Sequence, residues 1–494
     1  MRYFHILYPK GGQLSLQVLI FSTIGIILLT GFAVWANVNL RMVTLSSERA
    51  LAFTIAEAGI EYYRWHLAHA PTDFTDGTGN PGPYMHNYYD KNQNLIGQFV
   101  LEITPPLAGS TIVSIRSTGK VASNPGVSKI IEVRMGIPSF AKYAALVNGV
   151  VRFGQGTDVS GPIHSNNGIR FDGTAHNLVT SALVSYDEPD HTDANLEHAV
   201  HTHVNVPPET GINNAWRPLE APPNPVASRP DVFFVGRNLS VPNVNFLGVS
   251  SNFQQMQTDS LTASGFHASS SGALGYDIVL KTNGTFDLYR VTGLVPSPSS
   301  NCTNSQNQAA NQGGWGTWSI STESLVGNYP LPANGIIFLE DDAWVRGQIT
   351  GARLTIASAR FPLDTAPQSS ITMTSSTLYT NYDGKDVIGF VAQKNINIGL
   401  RSEDILRVDA ALFAQNGRVG RYYYNSYCGV GYRRNAITTY GMIGSYIRYG
   451  FSYTNGTGYQ TRNLVYDSNL LYGPPPLFPL TTDPYTILSW NEVK

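Results

Sequence analysis

Four histidines fall within thirteen residues, His191, His198, His201 and His203, with Asp193 and Glu197 among them. Imidazole and carboxylate are the side chains that hold divalent first-row metals. His198-x-x-His201 would set two rings on one helical turn, and His201-x-His203 would set two on one face of a strand. His198, His201 and His203 are therefore the metal-ligating candidates. Their spacing matches no established zinc module, and a solvated loop accounts for the same residues. Asn381-Tyr382-Asp383-Gly384 offers the oxygens of a calcium loop without specificity, and no other cofactor is expected. Glu340-Asp341-Asp342 and Asp383-x-x-Asp386 are carboxylates that a glycan-cleaving site could use, or that end strands and form Asx turns. No P-loop, G-x-S-x-G or H-E-x-x-H occurs, and no catalytic residue is assigned. Tyr422, Tyr423, Arg433 and Arg434 belong to a stretch where arginine and tyrosine interleave. Such planes stack on sugars or bases, or else cover a β face as a tyrosine ladder. Cys302 and Cys428 are the only cysteines and can pair in an oxidising compartment.

The elements that must carry these residues are mostly strands. The chain has 494 residues, enough for two to four domains at about 100–200 residues each. Only 13% are charged, with 47 Gly, 29 Pro and 27 Tyr, which points to short strands and many turns. The balance of 32 basic against 34 acidic residues argues against a nucleic-acid partner. Two cysteines exclude a disulfide scaffold and any cysteine-rich metal module.

Leu14–Trp35 is a 22-residue stretch without a charge, long enough to cross a ~30 Å hydrocarbon core as a helix. No proline interrupts residues 11–70, and Leu51, Ile55, Ala58, Tyr62 and Trp65 recur at helical spacing. The sequence thus predicts one helix of ~57 residues, ~85 Å long, with an apolar half and an amphipathic half. Lys10-Gly11-Gly12, the apolar run and Ser47–Trp65, with Ala56-Glu57-Ala58-Gly59-Ile60-Glu61 at its centre, resemble type IV pilins. The closest likeness is to the PilX-type minor pilin and pseudopilin group. That resemblance implies cleavage by a prepilin peptidase between Gly12 and Gln13. It also implies a Glu at the fifth mature position, where this chain has Gln17, an amide that can hydrogen-bond but supplies no charge. Uncleaved retention as a signal anchor is the other outcome.

The expected fold is α+β and mostly β. It comprises a leader-like segment (1–12), the pilin-like helix (13–70), a small antiparallel meander (71–138) and a β-solenoid-like or β-sandwich body (139–185 and 335–465). An inserted subdomain (186–334) and an extended Pro-rich C-terminal segment (466–494) complete it. The resemblance implies a membrane-anchored, surface-exposed structural or adhesion subunit of a type IV pilus. Its partners would be the membrane, other pilin-like subunits, the assembly machinery and an extracellular glycan or host or abiotic surface. The alternative is an anchored carbohydrate-active enzyme on a β-solenoid, or a glycan- or DNA-binding surface protein outside any pilus.

Overall fold

The computed structural model describes residues 11–107, 110–206, 215–246, 250–299, 301–302, 317–364, 367–481 and 484–493. Residues 1–10 of the leader-like segment lie outside them, as does the side chain of Gln13. The chain forms two compact units. One comprises residues up to Pro105, with Val113–Gly136 and Tyr485–Lys494; the other comprises Pro106–Ile112 and Ile137–Pro484.

In the first unit, α1 runs unbroken from Gly11 to His69, 59 residues. It contains an 18-residue window of mean hydropathy 2.3, long and apolar enough to cross a membrane. No residue from Leu14 to Leu51 is buried. From Ala52 onward the helix lies on an antiparallel sheet of β1 (Tyr84–Tyr89), β2 (Leu95–Thr104), β3 (Ile112–Val121) and β4 (Asn124–Gly136), with Thr486–Val493 pairing along β4 as a fifth strand. The last strand therefore replaces part of the extended segment expected over 466–494. Trp490 brings its ring edge to Phe53 of α1, 5.8 Å between centroids.

The buried face of α1 is Ala52, Ile55, Ala56, Gly59, Ile60, Tyr63 and Leu67. Only Ile55 of the stripe predicted from large apolar residues belongs to it, and Trp65 is 60% exposed. Small residues face the sheet because backbone meets backbone there. A Cβ on Gly119 would stand 2.1 Å from the Ala52 carbonyl oxygen and 2.5 Å from the Ala56 nitrogen.

The second unit is built from parallel ladders. One runs through Phe266–Ala268, Ile336–Leu339, Arg353–Ser358, Val387–Ala392, Ile405–Ala414 and Arg433–Ser445. It continues without a break into Ala145–Val147, Ile163–Ser165, Val179–Ser181 and Arg237–Asn238. A second ladder joins Gly275–Leu280, Ala343–Ile349, Ile371–Met373, Ile396–Ile398 and Val419–Arg421. Residues 139–185 and 335–465 share these parallel ladders. Inward Val159, Ile163, Ile337, Ile356, Phe390, Leu412 and Ile443 are all fully buried in one core. Glycine turns the corners: Gly347 has φ +113°, and a Cβ there would meet the Leu280 carbonyl oxygen at 2.2 Å.

Residues 186–334 belong to the same unit and do not form a separate subdomain. Their strands lengthen the stack through Val200–His201, Arg237–Asn238, Phe266–Ala268 and Gly275–Leu280. Antiparallel pairing enters as the ribbon Gly275–Leu280, Thr285–Leu294 and Ile320–Pro330, turned at Asn283-Gly284.

Candidate functional site

The histidine-rich segment is a buried cluster within the second unit, and the solvated-loop reading is corrected. It leaves the stack after Ser185–Asp187, turns, and returns antiparallel as Leu196–His198. It then joins Ile169–Phe171 in parallel as Val200–His201. Pairing to this ladder is what draws the segment out of water. Three imidazoles converge on one carboxylate oxygen, Glu188 Oε2: His191 Nε2 at 2.9 Å, His201 Nε2 at 3.3 Å and His203 Nε2 at 3.6 Å. His191 Nε2 and His203 Nε2 lie 3.3 Å apart. None of these four side chains is more than 2% exposed.

A shell of charge orients them. Glu197 Oε1 lies 2.7 Å from His191 Nδ1, the other ring nitrogen from the one that meets Glu188. Arg170 donates from Nη1 to both Glu188 oxygens and from Nε to Asp172 Oδ2 at 2.8 Å. Asp172 Oδ1 in turn accepts from the His203 backbone N–H at 2.9 Å. The Tyr186 ring packs on His201, 5.6 Å between centroids. Burial raises the Glu188 carboxyl, but hydrogen bonds from His191 and His201 and the Arg170 charge more than reverse it and hold it well below the carboxylate range. Burial opposes protonation of His191, yet its two carboxylates push it up to about 9. Burial and the Arg170 charge bring His203 down to about 2.

Of the sequence candidates, His201 and His203 are in this cluster and His198 is not. His198 is buried beside Arg237 and Glu220, and burial depresses its pKa. Asp193 caps its own turn by accepting from the Asn195 N–H. Glu188 was missed, although Glu188-x-x-His191 is in the sequence; the carboxylate had no neighbour in an alternating pattern to mark it.

The acidic pairs brace backbone. Asp341 accepts from Ser271 N and Oγ, and Asp342 from Ser370 N, while Arg360 bridges the two carboxylates. Asp386 accepts from the backbone N–H groups of Gly351, Ala352, Thr380 and Asn381, and Asp383 pairs with Lys385.

The arginine–tyrosine stretch turns inward at its start. Tyr422 is 6% exposed and stacks on Trp318 at 5.8 Å, so its assignment to a ligand surface is corrected. It shares an apolar cluster with Tyr424, Trp318 and the two cysteines, which cover it. Cys302 and Cys428 are joined by a disulfide. Arg421 is fully buried without a carboxylate among its donor contacts: it donates to Gly399 O, Leu400 O, Gly431 O and Ser402 Oγ, between the Tyr424 and Tyr459 rings. Burial depresses its pKa. Tyr423 is half-buried against Asn455, Arg434 donates to Leu400 O, and Arg433 is exposed over Tyr432. A separate cleft of about 610 Å³ is lined by Arg152, Arg418, Arg448, Arg462, Tyr449 and Tyr453, with Asp190 bridging Arg152 and Arg448.

No protein-family model matches the chain, and no curated protein matches it. Among solved structures, the competence-associated pilin ComZ from Thermus thermophilus is similar over 90% of this chain and 97% of its own, at 14% identity and a TM-score of 0.34. A likeness at that level transfers no function.

Proposed function

We propose that this chain is a membrane-anchored, minor-pilin-like subunit. In this reading its β-rich body stands outside the cytoplasm and the chain works in or at a type IV pilus. The observation that carries the reading is α1 itself. It is a single 59-residue helix whose apolar N-terminal half is unburied and whose second half seats small residues on an antiparallel sheet. The unburied half needs a hydrocarbon environment, either lipid or the apolar helices of neighbouring subunits. The segment Ala56–Glu61 and the Gly11-Gly12 junction supply the pilin resemblance. The Cys302–Cys428 disulfide favours an oxidising compartment for the body. A body with few charges and many tyrosines suits display and contact with surfaces.

Fractionation of cells that make the full chain tests this. The chain is expected to stay in the membrane through an alkaline carbonate wash, with its body cleaved by protease added to intact cells. Release by the wash, or a body protected inside the cell, would overturn the reading.

A further inference from the structure

We propose that Glu188, His191 and His203 bind one divalent transition-metal ion of the zinc type, with His201 as a positioning residue. A tetrahedral ion about 2.0–2.1 Å from each ligand atom needs ligand atoms about 3.3–3.4 Å from one another. The three separations among Glu188 Oε2, His191 Nε2 and His203 Nε2 are 2.9, 3.6 and 3.3 Å. Two imidazole nitrogens and one carboxylate oxygen are donors that zinc accepts, and the site has no thiolate to select a softer ion.

The surroundings are those of a metal site. Glu197 Oε1 lies 2.7 Å from His191 Nδ1, and His191 Nε2 is the atom that faces Glu188 and His203. Glu188 is held by Arg170, and by His201 Nε2 at 3.3 Å. The position of His203 is fixed through its own backbone N–H on Asp172. A pair of imidazole nitrogens facing each other at 3.3 Å in a closed core must have a proton or a cation between them, and a cation serves all three ligands at once.

Because the ligands are closed off from solvent, the ion's role is structural. It closes the excursion 188–203 on itself, tying Glu188 and His191 at its start to His203 at its end, beside the Ile169–Phe171 rung that Arg170 and the Val200–His201 pairing already join to it. The proposal is independent of the pilus reading.

The test uses the full-length chain in detergent, stripped with a chelator and reloaded with Zn²⁺ or Co²⁺ alone. One equivalent of Zn²⁺ per chain is expected, with a rise in Tm. Co²⁺ is expected to give the visible absorption of nitrogen and oxygen ligation. H191Q and H203Q should lose stoichiometric binding, H201A should weaken it about 10–100-fold, and H198A should leave it unchanged. The wild-type cobalt spectrum and zinc stoichiometry decide the matter even if a variant fails to fold. No stoichiometric uptake by the wild-type chain would overturn the proposal, and so would unchanged uptake by a folded H191Q/H203Q chain.

Discussion

Gly119 shows how one absent Cβ sets a helix on its sheet. Any side chain there would drive into the Ala52 and Ala56 backbone, which cannot rotate away as a flexible side chain would. Gly119→Val should destabilise the first unit by about 1–3 kcal/mol or more through overpacking. Gly126→Ala, where the nearest atom would be 3.5 Å away, should change little. Denaturant unfolding of the full chain checks this, and equal midpoints for the two variants would refute it. The same scale shows what sequence could reach. The density of histidines marked the right segment, because four imidazoles in thirteen residues is a compositional signal that survives without a fold. Which of them converge was not legible. His198 and His201 are separated by a change from an antiparallel to a parallel partner, and that change sends their rings to different places. Tyr422 misled for a related reason: whether a tyrosine covers a face or is itself covered depends on Trp318, a hundred residues away.

At the scale of elements, the disulfide links two segments that no ladder joins. Cys302 lies between the second and third strands of the antiparallel ribbon, and Cys428 lies in the turn Ser426–Tyr432, which precedes the rung Arg433–Ser445. They are 126 residues apart in sequence, and closing a loop of that length stabilises by about 4–5 kcal/mol on the chain-entropy argument. Replacing both cysteines with serine should therefore lower the denaturation midpoint of the non-reduced protein, and should loosen the packing of Trp318, Tyr422 and Tyr424. Tryptophan fluorescence along the unfolding curve reads both effects. An unchanged midpoint would remove the disulfide from the stability of the stack. The α1 element was legible in length and position, since an uncharged run and the absence of proline are local signals. Its buried face was misplaced by the large residues. Leu51, Ala58, Tyr62 and Trp65 are apolar or amphipathic, but the sheet selects Ala52, Ala56 and Gly59 for closeness of approach.

At the scale of the whole molecule, the two ends of the body's sequence meet in one ladder. Ile443–Ser445 pairs with Ala145–Val147, so the first rungs of the body are stacked on its later ones. Texture alone suggested two related blocks; their continuity depends on pairings about three hundred residues apart, which no local pattern encodes. The apparent insert is the stack's own extension, and its excursion carries the histidine cluster. The first unit is likewise closed by the far end of the chain, through Thr486–Val493 on β4. Beside these facts stands the proposal that α1 belongs to a membrane-held, pilin-like subunit. Its most direct test is the N-terminal sequence of the mature protein recovered from cell membranes. The account predicts a chain that begins at Gln13, cut after Gly12. A chain that still begins at Met1 would contradict it.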